Sequence, residues 1–226
     1  MDQIARSHTN NLDEPDTSAT QRTYRTIRAM ILEGVLRPGQ KLKIGDLKVQ
    51  IDAGASPIRE ALSLLTSDLL VERIDQRGFR AAPVSQSNFD EILRLRCALE
   101  DMALRGSIAS GGSDWEERVV LAHHRMVQAR RDPALAFEDR HKAFHMTILD
   151  QCGSPIQLKF CAQLYDLNVR YRNLAGKSQA YVKRNIDDEH KAIFDAVIMR
   201  DAEKASAHLI EHYHKTGAFL RASLAA

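Results

Sequence analysis

The stretch GASPIREALSLLTSDLLVERIDQRGFRAAPV, residues 54–84, decides the fold. Ser56 is a good helix N-cap, and Pro57 sits where a first helical turn tolerates proline. Ile58, Leu62 and Leu65 recur at helical spacing and predict a buried stripe on a helix over 57–67. The period then changes. LVERI, a break at Gln76-Arg77-Gly78 and FRAAPV read as strand, turn, strand. Upstream, Tyr24, Ile27 and Ile31 share one face of a helix that Gly34 ends. RPGQKL reads as a turn with a short extended piece, and IGDLKVQID predicts a second short helix through Leu47 and Ile51. Three helices followed by a hairpin form the plan of a winged helix-turn-helix over 20–84.

From Ser85 onward strand signals stop. The spacing predicts a helix in NFDEILRLRCALEDMALRGSIA up to SGGSD, one from Trp115 to RDP, and one over 134–151 stopped at Cys152-Gly153. Ser154-Pro155 open the next, which ends near Gly176; Ser178 caps one running to about Arg200, and Asp201 caps the last. These six helices predict an all-α bundle over 85–226, so the chain is mainly α in two domains. Residues 1–19 are polar and lack an apolar centre, which predicts a disordered tail and no signal peptide.

Hydrophobic content of 44% and charged content of 27% are those of an ordinary globular chain. No apolar run has the length of a membrane span, so a cytoplasmic protein is expected. Cys97, Cys152 and Cys161 are too few and scattered for a disulfide framework or a CxxC metal site, and read as small core residues. The net charge of +2 does not decide for or against nucleic acid, but its distribution is uneven. Residues 20–83 hold 11 Lys and Arg against 7 Asp and Glu, whereas 84–226 hold 20 against 19. The basic excess lies in the predicted winged domain.

That domain offers chemistry suited to double-stranded DNA. A winged helix-turn-helix inserts its recognition helix in the major groove. Ser56 and Arg59 lie in the first turn of the predicted helix, where backbone N–H groups can meet a phosphate and a guanidinium can reach a guanine edge. Arg77 and Arg80 flank the wing tip, and Gly78 permits close backbone approach. Arg59 paired only with solvent or a neighbouring acid, beside a purely structural hairpin, is the competing interpretation of the same residues.

The second half concentrates histidine: eight of the nine follow residue 84. His141 and His145 stand one helical turn apart beside Phe144 and Ile148. His190 lies on a helix whose inner face carries Ile193, Phe194 and Val197, and His212 lies on the last helix. Imidazole suits zinc, nickel, iron and copper, and histidines from three helices can converge in a bundle core. Spacing alone leaves three readings of the pair open: satisfied packing residues, a metal site, or half of an active site. His8, His123 and His124 read as surface residues.

SPIREALSLLTSDLLVERIDQRGFRAAPVS resembles the GntR family of bacterial transcription regulators, with its Pro-Val-Arg-Glu-Ala-Leu helix and Arg-Gly-Phe wing. The helical second half resembles the FCD effector domain of the FadR-like subgroup, and the likeness spans residues 20–222. It implies a regulator that binds a palindromic operator as a homodimer and answers to a small organic acid. It also implies a divalent metal held by an Asp and three His. On this chain HKAFH supplies His145 as the first His, EHKAIFDAV supplies His190 and DAEKASAHLIEH supplies His212, while His141 takes the place of the Asp. His208 competes with His212, and Asp139 is off the helical register. A four-His set favours later transition metals, zinc or nickel above manganese. RLRCALE places Arg96 where the family often holds an effector carboxylate, and Arg172 is a second candidate for that cavity. The alternative for Arg96 is a plain i,i+4 pair with Glu100.

One departure affects DNA. The family commonly carries Ser-Arg before the recognition helix, and here Gly54 and Ala55 replace them. Ala55 cannot contact phosphate through a charge, which implies weaker electrostatic affinity and a shallower salt dependence. Two rival functions are a metal-dependent enzyme on a helical bundle and a regulator that senses the metal itself. Against the enzyme stand the lack of an HExxH motif and of a nucleophile elbow; Glu189, next to His190, is the one acid worth testing as a base.

Overall fold

The structure is a computed structural model that describes residues 18–131, 137–175 and 185–224. The polar tail expected over 1–19 lies almost wholly outside the described residues, as does the Ser178 cap. The chain divides into two compact units. One comprises the described residues up to Ala29 together with Lys41–Arg80; the other comprises Met30–Gln40 and the described residues from Ala81 on.

In the first unit, Ile27 on helix α1 (Ala19–Leu32) is completely buried, and Tyr24 donates its hydroxyl hydrogen bond to Asp68 at 2.6 Å. Strand β1 (Lys41–Leu42) leads to α2 (Ile44–Ile51), whose Leu47 is buried. Helix α3 (Ala55–Ser67) carries the expected stripe: Ile58, Leu62 and Leu65 are all fully buried. Each such side chain contributes roughly 1.5–3 kcal/mol of hydrophobic stabilisation. The helix begins earlier than the sequence predicts. Gly54 occupies the cap position, its carbonyl accepts from the Ile58 N–H at 3.2 Å, and Ser56 instead donates to Glu60 at 3.2 Å. Pro57 does not block this, because its missing N–H falls in the first turn, where no intrahelical acceptor exists.

Strands β2 (Val71–Ile74) and β3 (Gly78–Ala81) close the unit in a three-stranded sheet of order β1-β3-β2. The β1–β3 pairing is antiparallel, with Lys41 opposite Arg80 and Leu42 opposite Phe79. The turn spans 75–77, and Gly78 opens β3 with φ +90°, a conformation that a side chain would strain.

The second unit contains six helices among the described residues: α4 (Gln86–Ser110), α5 (Ser113–Arg131), α6 (Phe137–Thr147), α7 (Pro155–Ala175), α8 (Ile186–Ile198) and α9 (Ala202–Leu224). Ser85, Ser154, Asn185 and Asp201 each accept an N–H of the turn that follows, at 3.1, 3.3, 3.3 and 3.0 Å. Helix α9 packs on α4 and α8, α5 on α6, and α4 on α7. Helix α6 stops four residues short of the predicted end. The Trp115 indole takes the Thr147 carbonyl at 2.8 Å and the Ser107 hydroxyl takes the Gln151 N–H at 3.1 Å, so the chain leaves the helix with its polar groups satisfied. Cys161 is buried, Cys97 and Cys152 are half-buried, and all three are free. No helix among the described residues is long and apolar enough to cross a membrane.

Candidate metal centre and nucleic-acid face

Helix α6 points His141 and His145 inward, α8 adds His190 and α9 adds His212; all four are buried, none more than 6% exposed. The His141 Nε2 stands 2.9 Å from the His190 Nε2 and 3.2 Å from the His145 Nε2, and the latter two are 3.3 Å apart. One potential ligand atom from each of the four lies within 4.8 Å of the others.

The other nitrogen of each ring decides the tautomer. Tyr165 donates its only proton to the Glu138 carboxylate at 2.6 Å, so towards the His141 Nδ1, at 2.5 Å, it accepts. Tyr213 donates to Glu100 and accepts in the same way from the His145 Nδ1 at 3.1 Å. Burial pushes both tyrosine hydroxyls well above their ordinary pKa, so they keep these protons. The His212 Nδ1 faces the Glu189 carboxylate at 2.8 Å, and His190 is bonded to the Ile186 backbone. These partners place the proton on the outer nitrogen and an Nε2 lone pair inward at His145, His190 and His212; at His141 the Tyr165 oxygen favours the same tautomer over the weaker, longer contact of its Nδ1 with the Arg172 guanidinium at 3.4 Å. Four converging lone pairs with no donor between them fit a cation. Burial also lowers the His141 pKa to about 4 and those of His145 and His190 well below the ordinary value, which keeps the rings neutral and able to bind metal.

Two chains of contacts support the cluster, and they share one form. His141 leads through Tyr165 to Glu138 and on to Arg172, which donates to Glu138 at 2.5 Å. His145 leads through Tyr213 to Glu100 and on to Arg96, whose Nε donates at 2.7 Å. The Arg96 guanidinium lies 4.1 Å from the Tyr213 ring centroid. Arg96, Arg172, Asn168 and Thr216 border a cavity of about 10 Å³ beside His141, His145 and His212. That is room for roughly one water.

The sequence-predicted residues thus fall into place unevenly. The four histidines come together, while Asp139 and His214 are exposed and His208 is half-buried outside the group. Glu189 orients His212. Arg96 pairs with Glu100 inside its own helix, as its simpler interpretation anticipated, but in a buried setting. His123 is not a surface residue: it stacks on Phe194 at 4.3 Å and meets the edge of Phe144 at 5.4 Å. His124 is exposed, and His8 lies outside the described residues. Sequence reasoning missed Glu138, Tyr165 and Tyr213.

In the first unit, Arg59 and Arg77 are exposed, and neither pairs with an acid among the described residues. Ser56 is exposed at the start of α3, and Gly78 at the wing is exposed too. Arg80 is partly engaged, donating to Glu72 across the hairpin at 2.6 Å.

Comparisons with known proteins agree with this architecture. The family model described as "FCD domain" matches residues 91–215, and that described as "Bacterial regulatory proteins, gntR family" matches 19–80. The "Uncharacterized HTH-type transcriptional regulator BphR" of Paraburkholderia xenovorans (strain LB400) is 35% identical over 211 residues, covering 90% of this chain and 86% of its own. The "HTH-type transcriptional repressor GlaR" of Escherichia coli (strain K12) is 31% identical, with 84% and 90% covered. Of solved structures, E. coli McbR/YncC superposes with a TM-score of 0.76 at 21% identity, covering 92% of this chain and 99% of that one. A regulator from Rhodococcus sp. RHA1 gives 0.73 at 20%, with 91% and 99% covered. At these identities the two structures speak for the fold alone.

Proposed function

The chain belongs to the GntR family of bacterial transcription regulators and carries an FCD domain, and from that premise we propose that it binds operator DNA as a homodimer and answers to a small organic acid held beside a divalent metal ion. It is a regulator and not an enzyme, as its relatives are. In this reading residues 20–84 bind DNA and 85–226 hold the effector and the dimer contacts. The site of action is the cytoplasm, where the operator lies.

The observation that carries the metal is the convergence of four Nε2 lone pairs whose rings are all fixed from behind. His141, His145, His190 and His212 are the ligands, and zinc or nickel suits an all-imidazole set better than manganese. When bound, the ion supplies a Lewis-acidic point to which an anion can be drawn. The protein's own groups do the rest. Tyr165, Tyr213 and Glu189 orient the imidazoles, and Arg96 and Arg172 supply positive charge at the cavity.

Ser56, Arg59, Arg77, Gly78 and Arg80 form the proposed DNA face. Arg59 and Arg77 are its free cations, Arg80 joins on release from Glu72, and Ala55 supplies no charge. Paired half-sites would mirror the two-fold axis of a dimer. The effector acts by binding one arrangement of the paired DNA-binding units better than the other.

Elemental analysis of tag-free wild type beside His145→Ala tests the centre: about one zinc or nickel ion per chain is expected, lost in the variant. Fluorescence anisotropy on a duplex selected from a randomised pool, with metal and organic acids varied separately, tests the regulation. Operator affinity that follows metal alone would replace the organic acid by the metal as signal. No metal in either protein after zinc addition and dialysis would refute the centre.

A further inference from the structure

The cavity beside the histidines holds about 10 Å³, too little for any organic acid, so a ligand must displace something. The two His–Tyr–Glu–Arg chains differ in one respect that identifies what. Glu100 and Arg96 are sealed in, with side chains 1% and 5% exposed. Glu138 is 42% exposed, while its partner Arg172 is only 13% exposed. Removing Glu100 would leave the Arg96 charge buried without compensation. Glu138 can swing into water and keep its charge solvated, leaving behind the Arg172 Nη2, which donates to it at 2.5 Å, and the Tyr165 hydroxyl, both of which had been holding a carboxylate; the Arg172 Nη1 meanwhile stays beside the His141 Nδ1.

We propose that Glu138 is a built-in stand-in for the effector's carboxylate. It closes the empty site by occupying Arg172 and Tyr165, and the effector binds by displacing it. This rests on the reading of the protein as an organic-acid-responsive regulator. The proposal divides the two arginines: Arg96 is a structural clamp for Tyr213, and Arg172 is the anchor for the ligand. It specifies the ligand as a small acid whose carboxylate accepts from the Arg172 guanidinium and from the Tyr165 hydroxyl, with the remainder of the molecule entering the space that Glu138 vacates. It also ties binding to movement, because Glu138 links α6 to α7 through both of those bonds and the effector replaces a link within the chain by a link to itself.

The test is calorimetric titration of zinc-loaded wild type, Glu138→Ala, Glu138→Gln and Arg172→Ala with acetate and with succinate. Removal of a partly exposed competitor should tighten acid binding about tenfold in Glu138→Ala. Glu138→Gln, which keeps the side-chain volume but not the charge, should tighten it less, and Arg172→Ala should abolish it. Equal affinities in wild type and both Glu138 variants would overturn the displacement and leave the effector reading in place. Absence of binding in all four proteins, each still loaded with zinc and able to bind its operator, would overturn the effector reading and the displacement together.

Discussion

Lowering the pH from 7.5 to 5 should sharply destabilise the metal-free helical unit, by an amount that follows from the buried histidines. Burial lowers His141 to about 4, and burial together with the neighbouring imidazoles takes His145 and His190 well below the ordinary value. In the unfolded chain each titrates near 6.5. At pH 5 the unfolded state therefore holds three protons that the folded state lacks, and stability falls as pH falls. The contribution is fully present above about pH 6.5 and is lost on the way down to the folded values. Over the 1.5 units from 6.5 to 5 each histidine accounts for about 2 kcal/mol, so the three together approach ~6 kcal/mol, comparable to the whole stability of a typical domain. Glu138 does not contribute in this window. Burial would raise it, but His141 and Arg172 outweigh burial and hold it at about 2, so its share is lost only below the ordinary carboxyl range. Trp115 is the only tryptophan, and it is buried in the helical unit, so its fluorescence reports that unit alone. Urea unfolding in the presence of a chelator at pH 7.5, 6 and 5 measures the slope. A loss below about 1 kcal/mol between the end points would mean that the imidazoles are solvated in the folded state and form no buried cluster.

Three further outcomes can be checked independently. Glu189→Gln leaves the His212 Nδ1 facing a neutral amide and should lower zinc affinity 10- to 100-fold, measured by competition with a chelating dye. His141→Asp should shift preference from zinc towards manganese, read by equilibrium dialysis against both ions. Arg59→Ala and Arg77→Ala should each make the salt dependence of operator binding shallower by about one unit of slope if they neutralise phosphates; an unchanged slope with a loss at one base position would reassign that arginine to a base edge.

Much of this was legible because helical periodicity is local. Ile58, Leu62 and Leu65 announced α3, and the spacing of His141 and His145 put both on one face of α6. The start of α3 was misread because Ser56 and Pro57 each fit a helix beginning at 57, whereas the glycine before them, with no hydrogen-bonding side chain, held the actual cap position. The outer shell was hidden for a different reason. Tyr165 and Tyr213 reach the cluster from α7 and α9, and no spacing rule links either to a histidine on α6. Glu138 was within reach of the sequence: it stands three residues before His141, on the same side of the helix. What concealed it was the expectation that the family's acidic ligand would sit at position 141 itself. His123 looked superficial because its partner Phe194 lies on α8, 71 residues away.

The charge at the centre links its metal to its ligand. Three carboxylates, Glu100, Glu138 and Glu189, face the imidazoles or the groups that hold them, and two guanidinium groups, Arg96 and Arg172, offset two of the three. Burial keeps His141, His145 and His190 neutral, and metal ligation requires a neutral imidazole at all four positions. A divalent ion would therefore leave the site with one uncompensated positive charge among largely buried groups, a costly state. An aspartate at position 141 would have cancelled it. With histidine there, cancellation must come from an anion, and the less deeply buried guanidinium is the one now satisfied by the partly exposed carboxylate of Glu138. Once Glu138 swings out to solvent the deficit grows to two, which a dicarboxylate can cancel and a monocarboxylate cannot. The same substitution that removes the acidic ligand from the metal thus favours an effector with two negative charges, and succinate should bind the zinc-loaded protein more tightly than acetate by more than its second carboxylate gains in a metal-free control.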